Sequence, residues 1–171
     1  LTGPINSLYM QSLGANYVAI GLLATTGSYT ILFSYLWGRA SDLIGQRKVF
    51  MSLGMLTASL SYGLTSLAPN YFYLFPLRIL SGAALAAYGT SSLALMGDLL
   101  EQRPETRGRR MGTFRGLGSL GFGLMAFLTG SIADRFSLRV PYALASLVLF
   151  VAFLLTLAVR EPRPATQSQG D

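Results

Sequence analysis

The first charges in the chain arrive together, in GRASDLIGQRKVF, where Arg39, Asp42, Arg47 and Lys48 follow a run, 1–38, with no Asp, Glu, Lys or Arg. One carboxylate among three cations is a set for ion pairing and hydrogen bonding. Asp42 can accept from a helix N-terminus or pair with Arg47. Gly38 and Gly45, on either side of it, suit a tight turn between two helices and close helix contact. Two further charges are isolated: Arg78 stands between apolar runs, and Asp98 closes the second of them. Covalent chemistry is out of reach. With His 0 and Cys 0 there is no ordinary zinc or haem site and no Ser–His or Cys–His nucleophile pair. The single lysine, Lys48, has no P-loop around it. The expectation is therefore no enzyme, no metal and no cofactor, with a coupling ion such as a proton left open.

The elements that position these charges are apolar. Hydrophobic residues make up 51% of the chain, charged residues 12%, and the 19 glycines are scattered through apolar runs. Stretches without Asp, Glu, Lys or Arg cover 1–38, 49–77, 79–97, 116–133 and 140–159. A helix crossing the hydrocarbon core needs roughly 20 mostly apolar residues. Spans are expected at 17–37, 49–68, 71–97, 111–133 and 140–159, and five in succession make a polytopic membrane protein. A cleaved signal peptide is excluded, since the first run has no basic n-region and four more runs follow it. The segment 1–13 is too short to cross at about 1.5 Å per residue. It reads as the end of a first helix whose beginning is cut, so the chain reads as a fragment.

Charge gives orientation. The connectors 39–48 and 98–115 and the tail carry ten Lys or Arg, against two in 134–139 and none at 12–16 or 68–70. Basic residues concentrate on the cytoplasmic side. The loops 39–48 and 98–115 and the tail are thus expected inside a cell membrane, with the Pro69–Asn70 turn outside. The net charge of +6 then reports topology rather than nucleic-acid binding, which needs a basic face on a soluble fold. The tail 161–171, with its Pro, Gln and Ser, reads as the start of a cytoplasmic linker.

GRASDLIGQRKVF resembles the signature of the major facilitator superfamily between its second and third helices, G-x-x-x-D-[RK]-x-G-[RK]-[RK], at Gly38, Asp42, Gly45 and Arg47. It departs at Leu43 and Gln46, with Lys48 close by to replace the lost charge. RILSGAALAA resembles the family's fourth-helix pattern at Arg78 and Gly82. An arginine at the centre of a span costs about 2.5–3.5 kcal/mol on insertion scales and so faces a cavity or partner, unless it snorkels. The small residues Ser81, Gly82, Ala83, Ala84, Ala86 and Ala87 allow close helix approach. Pro76 removes a backbone donor and frees the Phe72 carbonyl, so a bend near Arg78 is expected. The fifth span is rich in glycine, with Gly112 and Gly116 as a GxxxG pair suited to packing or sliding. Proton-coupled exporters of the superfamily carry G-x-x-x-G-P-x-x-G-G on this helix. Here that pattern falls on Gly121, Met125, Ala126, Thr129 and Gly130, keeping the first and last glycines and lacking the proline. GSIADRFSLR, 130–139, is a weaker copy of the first signature on the opposite side and reads as a connector before Pro141–Tyr142.

The resemblance implies an all-α transmembrane helical bundle, the N-terminal six-helix half of a transporter, with residues 1–160 forming five complete spans plus the end of a first helix. It implies a secondary active transporter of a small solute working by alternating access, with efflux as one possible direction. The partners are the lipid bilayer, the solute and a missing C-terminal six-helix half of the same protein. A non-transporting membrane sensor or scaffold on the same fold is the alternative. Gly38, Asp42, Gly45, Arg47, Lys48 and Asp98 would form a conformational latch. Arg78 with Gly82 would serve substrate or proton coupling. Thr25, Ser28, Tyr29, Tyr88 and Ser92 are candidates for the cavity lining, although such hydroxyls often satisfy their own backbone.

Overall fold

The structure is a computed structural model that describes residues 5–101 and 104–158. Among these the chain is all helical. After α1 (Asn6–Ser12), α2 (Tyr17–Thr25) runs through one 3-10 turn, Thr26–Ser28, into α3 (Tyr29–Ile44). Then follow α4 (Arg47–Ser66), a 3-10 turn Tyr71–Tyr73 leading into α5 (Leu74–Glu101), a 3-10 turn Pro104–Thr106 leading into α6 (Arg107–Arg135), and α7 (Val140–Ala158). The expected linker 161–171 and Arg103 lie outside the described residues.

Local chemistry sets the boundaries. Asn16 caps α2 by accepting from the Ala19 N–H at 2.8 Å, satisfying one of the orphan donors of the first turn. Gly45 ends α3 with φ +68°, the left-handed conformation that glycine adopts without penalty, and its N–H reaches the Ser41 carbonyl at 2.9 Å. The helices outrun the apolar stretches. Most of the stretch expected as a loop, 39–48, is therefore the last turns of α3 and the first of α4, and only Gly45 and Gln46 connect them. Pro76 is in the first turn of α5. An α-helix N–H has no partner within its own helix there, so Pro76 is accommodated at the start of α5.

Four stretches are long and apolar enough to cross a membrane: Tyr17–Ile44, Tyr71–Leu100, Arg107–Arg135 and Val140–Ala158. The fifth helix of spanning length, α4, has 20 residues but carries so much Ser, Thr and Gly that its composition falls short. Its position explains this. It lies at the centre, packed along α5 on one side and α7 on the other, while α3 packs on α5. Buried on it are Met51, Ser52, Gly54, Met55, Ala58, Ser59, Ser61, Tyr62 and Ser66, a face recurring every three or four residues.

Hydroxyls tie α4 to α7 along their length. Ser59 Oγ donates to the Ser146 carbonyl at 2.9 Å and Ser146 Oγ to the Ser59 carbonyl at 2.7 Å, and Ser52 Oγ and Thr156 Oγ1 lie 3.2 Å apart. Close approach joins α4 to α5, since a Cβ on Gly54 would come within 2.6 Å of the Ala84 carbonyl oxygen. α6 touches α5 and α7 only lightly.

Candidate functional site

Three helix ends meet around Arg47. From the first turn of α4 its guanidinium reaches Asp98 Oδ2 near the end of α5 at 3.1 Å and Asp42 Oδ1 near the end of α3 at 3.4 Å. The carboxylates keep considerable exposure, 64% for the Asp42 side chain and 43% for Asp98, against 22% for Arg47. Each charge is on the wrong end of its helix. Acids are unfavourable near a C-terminus and a cation is unfavourable near an N-terminus. The three are compensated by one another, so the junction depends on all three partners. Such exposed pairs contribute only about 0.2–1 kcal/mol each, which leaves the junction able to open.

The other expected members of the latch divide. Gly38 has nothing within 4 Å of where a Cβ would stand, so packing inside this chain does not require glycine there. It lies with Ser34, Tyr35, Arg39, Asp42 and Leu43 along an open groove on α3. Gly45 is required by its positive φ. Lys48 Nζ donates to the Leu157 carbonyl at 2.7 Å, so it ties α4 to the last turn of α7, where a cation is favourable.

Arg78 is at the opposite end of the bundle. It is half-buried and lines a cavity of about 20 Å³ with Asn6, Leu23, Tyr62, Thr65, Leu74 and Ser81, room for about one water. Its guanidinium makes no ion pair among the described residues. Beside this cavity is a polar cluster that the sequence reading missed. Tyr9 donates to the Thr65 carbonyl at 2.8 Å and Tyr142 to Asn6 Oδ1 at 2.6 Å. The Tyr9 and Tyr142 rings are 4.7 Å apart, and Tyr62 stacks on Tyr142 at 6.2 Å. Arg139 donates to the Ala68 carbonyl at 3.4 Å. The available signal was that a tyrosine hydroxyl or Asn amide inside an apolar helix must find a partner.

Gly82 faces Thr30, whose Oγ1 would be 3.4 Å from a Cβ there, so its place is the α3–α5 contact rather than the cavity. The five lining candidates are not among the residues around the cavity. Thr25 Oγ1 donates to the Leu22 carbonyl and Ser92 Oγ to the Gly89 carbonyl, satisfying their own helices. Ser28 and Tyr29 are exposed, and Tyr88 is half-buried against the core. The GxxxG pair on α6 meets no neighbour: nothing lies within 4 Å of a Cβ at Gly112 or Gly116, nor at Gly118, Gly121, Gly123 or Gly130.

Comparison with known proteins gives the lineage. The chain is 27% identical over 169 residues to the multi-drug resistance efflux pump PmrA of Streptococcus pneumoniae, covering 92% of this chain and 40% of that protein. It is 32% identical over 179 residues to the multidrug resistance protein MdtG of Dickeya zeae, covering 99% and 42%. It is 29% identical over 140 residues to the class E tetracycline resistance protein of Escherichia coli, covering 81% and 33%. The chain thus spans about two-fifths of the length of the first of these curated relatives. No solved structure gives a significant match. The family profile described as Major Facilitator Superfamily matches residues 1–171, and with its helices of membrane-spanning length and composition this multi-pass membrane chain belongs to that superfamily.

Proposed function

We propose that the chain is part of the N-terminal six-helix half of a secondary transporter, and that the complete protein moves a small solute by alternating access. The observation that carries this reading is Arg47 held between Asp42 and Asp98. A three-charge junction at the meeting point of three helix ends can be closed in one state and opened in another at little cost. Alternating access needs such an element around a site near the midplane. Gly38 and the groove beside Asp42 leave α3 open to a helix of the other half. The nearly bare face of α6 is covered, in this reading, by the part of the fold that the longer relatives have and this chain lacks.

The orientation places the junction on the cytoplasmic side of the cell membrane, in keeping with the excess of basic residues there. The Arg78 cavity then opens towards the outer half of the membrane, and Arg78 is the group for an anionic part of the solute or a proton-carrying carboxylate. Export of a drug-like solute is the favoured direction, because PmrA is named an efflux pump and MdtG and the class E protein are named for drug resistance.

The test is transport by the complete protein carrying Asp42→Asn. Membrane insertion is expected to stay normal while transport falls at least about tenfold; unchanged transport removes the latch. Arg78→Ala is expected to shift both solute affinity and the pH dependence of transport, and wild-type values in both would leave Arg78 a snorkelling residue. Absence of solute counterflow in proteoliposomes of the unmodified protein would favour a sensor or scaffold.

A further inference from the structure

Several basic residues of this chain are engaged internally: Arg47 by two carboxylates, and Lys48 and Arg139 by backbone carbonyls. The start of α6 differs. Arg107, Arg109, Arg110 and Arg115 are exposed, and their guanidinium groups make no ion pair among the described residues. No acid stands in the first turn of α6, and Glu105, just before it, pairs with none of them. The helix dipole opposes cations at this end. Thr106 supplies no side-chain cap, and its buried hydroxyl oxygen has no partner. Four guanidinium groups are thus carried on 107–115 with no anion supplied from the described chain.

Length fixes the depth of this cluster. α6 has 29 residues, about 43 Å at the helical rise, against a hydrocarbon core of about 30 Å. Its charge-free part, 116–133, is about 27 Å long and fills that core, so 107–115 extends about 13 Å further, through the headgroup layer. At about 100° per residue the four arginines stand around the helix rather than on one stripe.

We propose that Arg107, Arg109, Arg110 and Arg115 form a collar that binds the phosphate groups of anionic phospholipids. The phosphates complement both the guanidinium groups and the dipole. The proposal rests on the orientation given above only for the choice of leaflet, which is the inner one.

The test uses the complete protein in phosphatidylcholine vesicles containing a minority of phosphatidylglycerol, with spin-labelled probes of each lipid. Labelled phosphatidylglycerol is expected to be enriched next to the protein over labelled phosphatidylcholine, and the enrichment to weaken with salt. Replacing Arg109, Arg110 and Arg115 together by Gln is expected to remove it, by up to about fivefold per arginine. The matching Lys variant retains it, and so does Arg135→Gln at the other end of the helix. The collar is overturned if the triple Gln variant keeps wild-type enrichment or if the Lys variant loses as much. It is also overturned if millimolar inorganic phosphate displaces the labelled lipid, which would make this a site for a free anion. An impermeant reductant reports the leaflet. Enrichment in the outer leaflet supports the collar while overturning the orientation, so the two readings fail separately.

Discussion

α4 and α6 invert the usual relation between apolarity and burial. α6 meets the composition of a membrane span, yet only 6% of its most apolar window is buried. α4 falls short of that composition and is the most enclosed helix of the bundle. In water the less polar helix goes inside. In lipid the surroundings are already apolar, so helices associate through close packing and hydrogen bonds, and small and hydroxylated residues mark the interior. The serines of α4 are interior for this reason, as are Gly54 and Ala58, whereas the Leu and Phe side chains of α6 can face acyl chains.

The comparison breaks most sharply at glycine. Gly54→Ala puts a methyl group 2.6 Å from the Ala84 carbonyl oxygen and 3.0 Å from the Tyr88 nitrogen, both backbone atoms that move only if the helices separate. A loss of about 1–3 kcal/mol is expected. It can be measured as thermal unfolding in detergent, followed by the emission of Trp37, the single tryptophan, which contacts Phe50 across α3 and α4 with ring centroids 5.8 Å apart. Gly121→Ala on α6 meets nothing within 4 Å and should gain about 0.5–1 kcal/mol from helix propensity. If the two substitutions shift the midpoint in the same direction, the contrast between the helices fails. If another helix covers that face in the complete protein, as proposed, Gly121→Ala should there turn from stabilising to neutral or harmful.

A smaller effect is expected from the reciprocal pair on α4 and α7. Ser59 and Ser146 each donate to the other's carbonyl, at 2.9 and 2.7 Å. A double-mutant cycle with Ser59→Ala and Ser146→Ala should give a coupling of about 0.6 kcal/mol, and at most about 1.7. Coupling near zero would mean that packing alone joins these helices. The exposed Ser119 and Ser131 of α6 donate to the Arg115 and Phe127 carbonyls of their own helix and should show no coupling to other helices.

These two helices also show what could be read from the sequence. The spans were legible because charges are few and fall at helix ends. The pairing of Asp42 with Arg47 was legible for the same reason, since Asp42 is the acid nearest to Arg47 in the sequence, whereas Asp98 joined the latch only through the resemblance to the superfamily. The boundaries were not, because polar residues such as Arg39 and Asp42 continue α3 beyond its apolar stretch. The packing of α6 was legible only in part: its glycine spacing suits a close neighbour, but spacing does not say whether that neighbour belongs to the described residues, and none of them comes within 4 Å of a Cβ at Gly112 or Gly116. The cluster of Asn6, Tyr9 and Tyr142 was invisible because its partners lie far apart, Tyr142 and Asn6 being separated by 136 in residue number. Only the up-and-down course of the helices brings them together.

Lys48 provides the smallest and most discriminating test, because it stands next to Arg47 in sequence but acts on a different helix. Its ammonium group sits at the last turn of α7 on the Leu157 carbonyl, at 2.7 Å, while Arg47 turns to α3 and α5. Lys48→Met keeps most of the side chain's length and removes the charge. It should cost about 0.3–1 kcal/mol in the unfolding measurement, the usual worth of a cation at a helix C-terminus. Transport by the complete protein should then change far less than in Asp42→Asn, since all three charges of the junction remain. If Lys48→Met instead reduces transport as much as Asp42→Asn, then α7 moves with the latch and the hydroxyl-tied pair of α4 and α7 is not a passive frame.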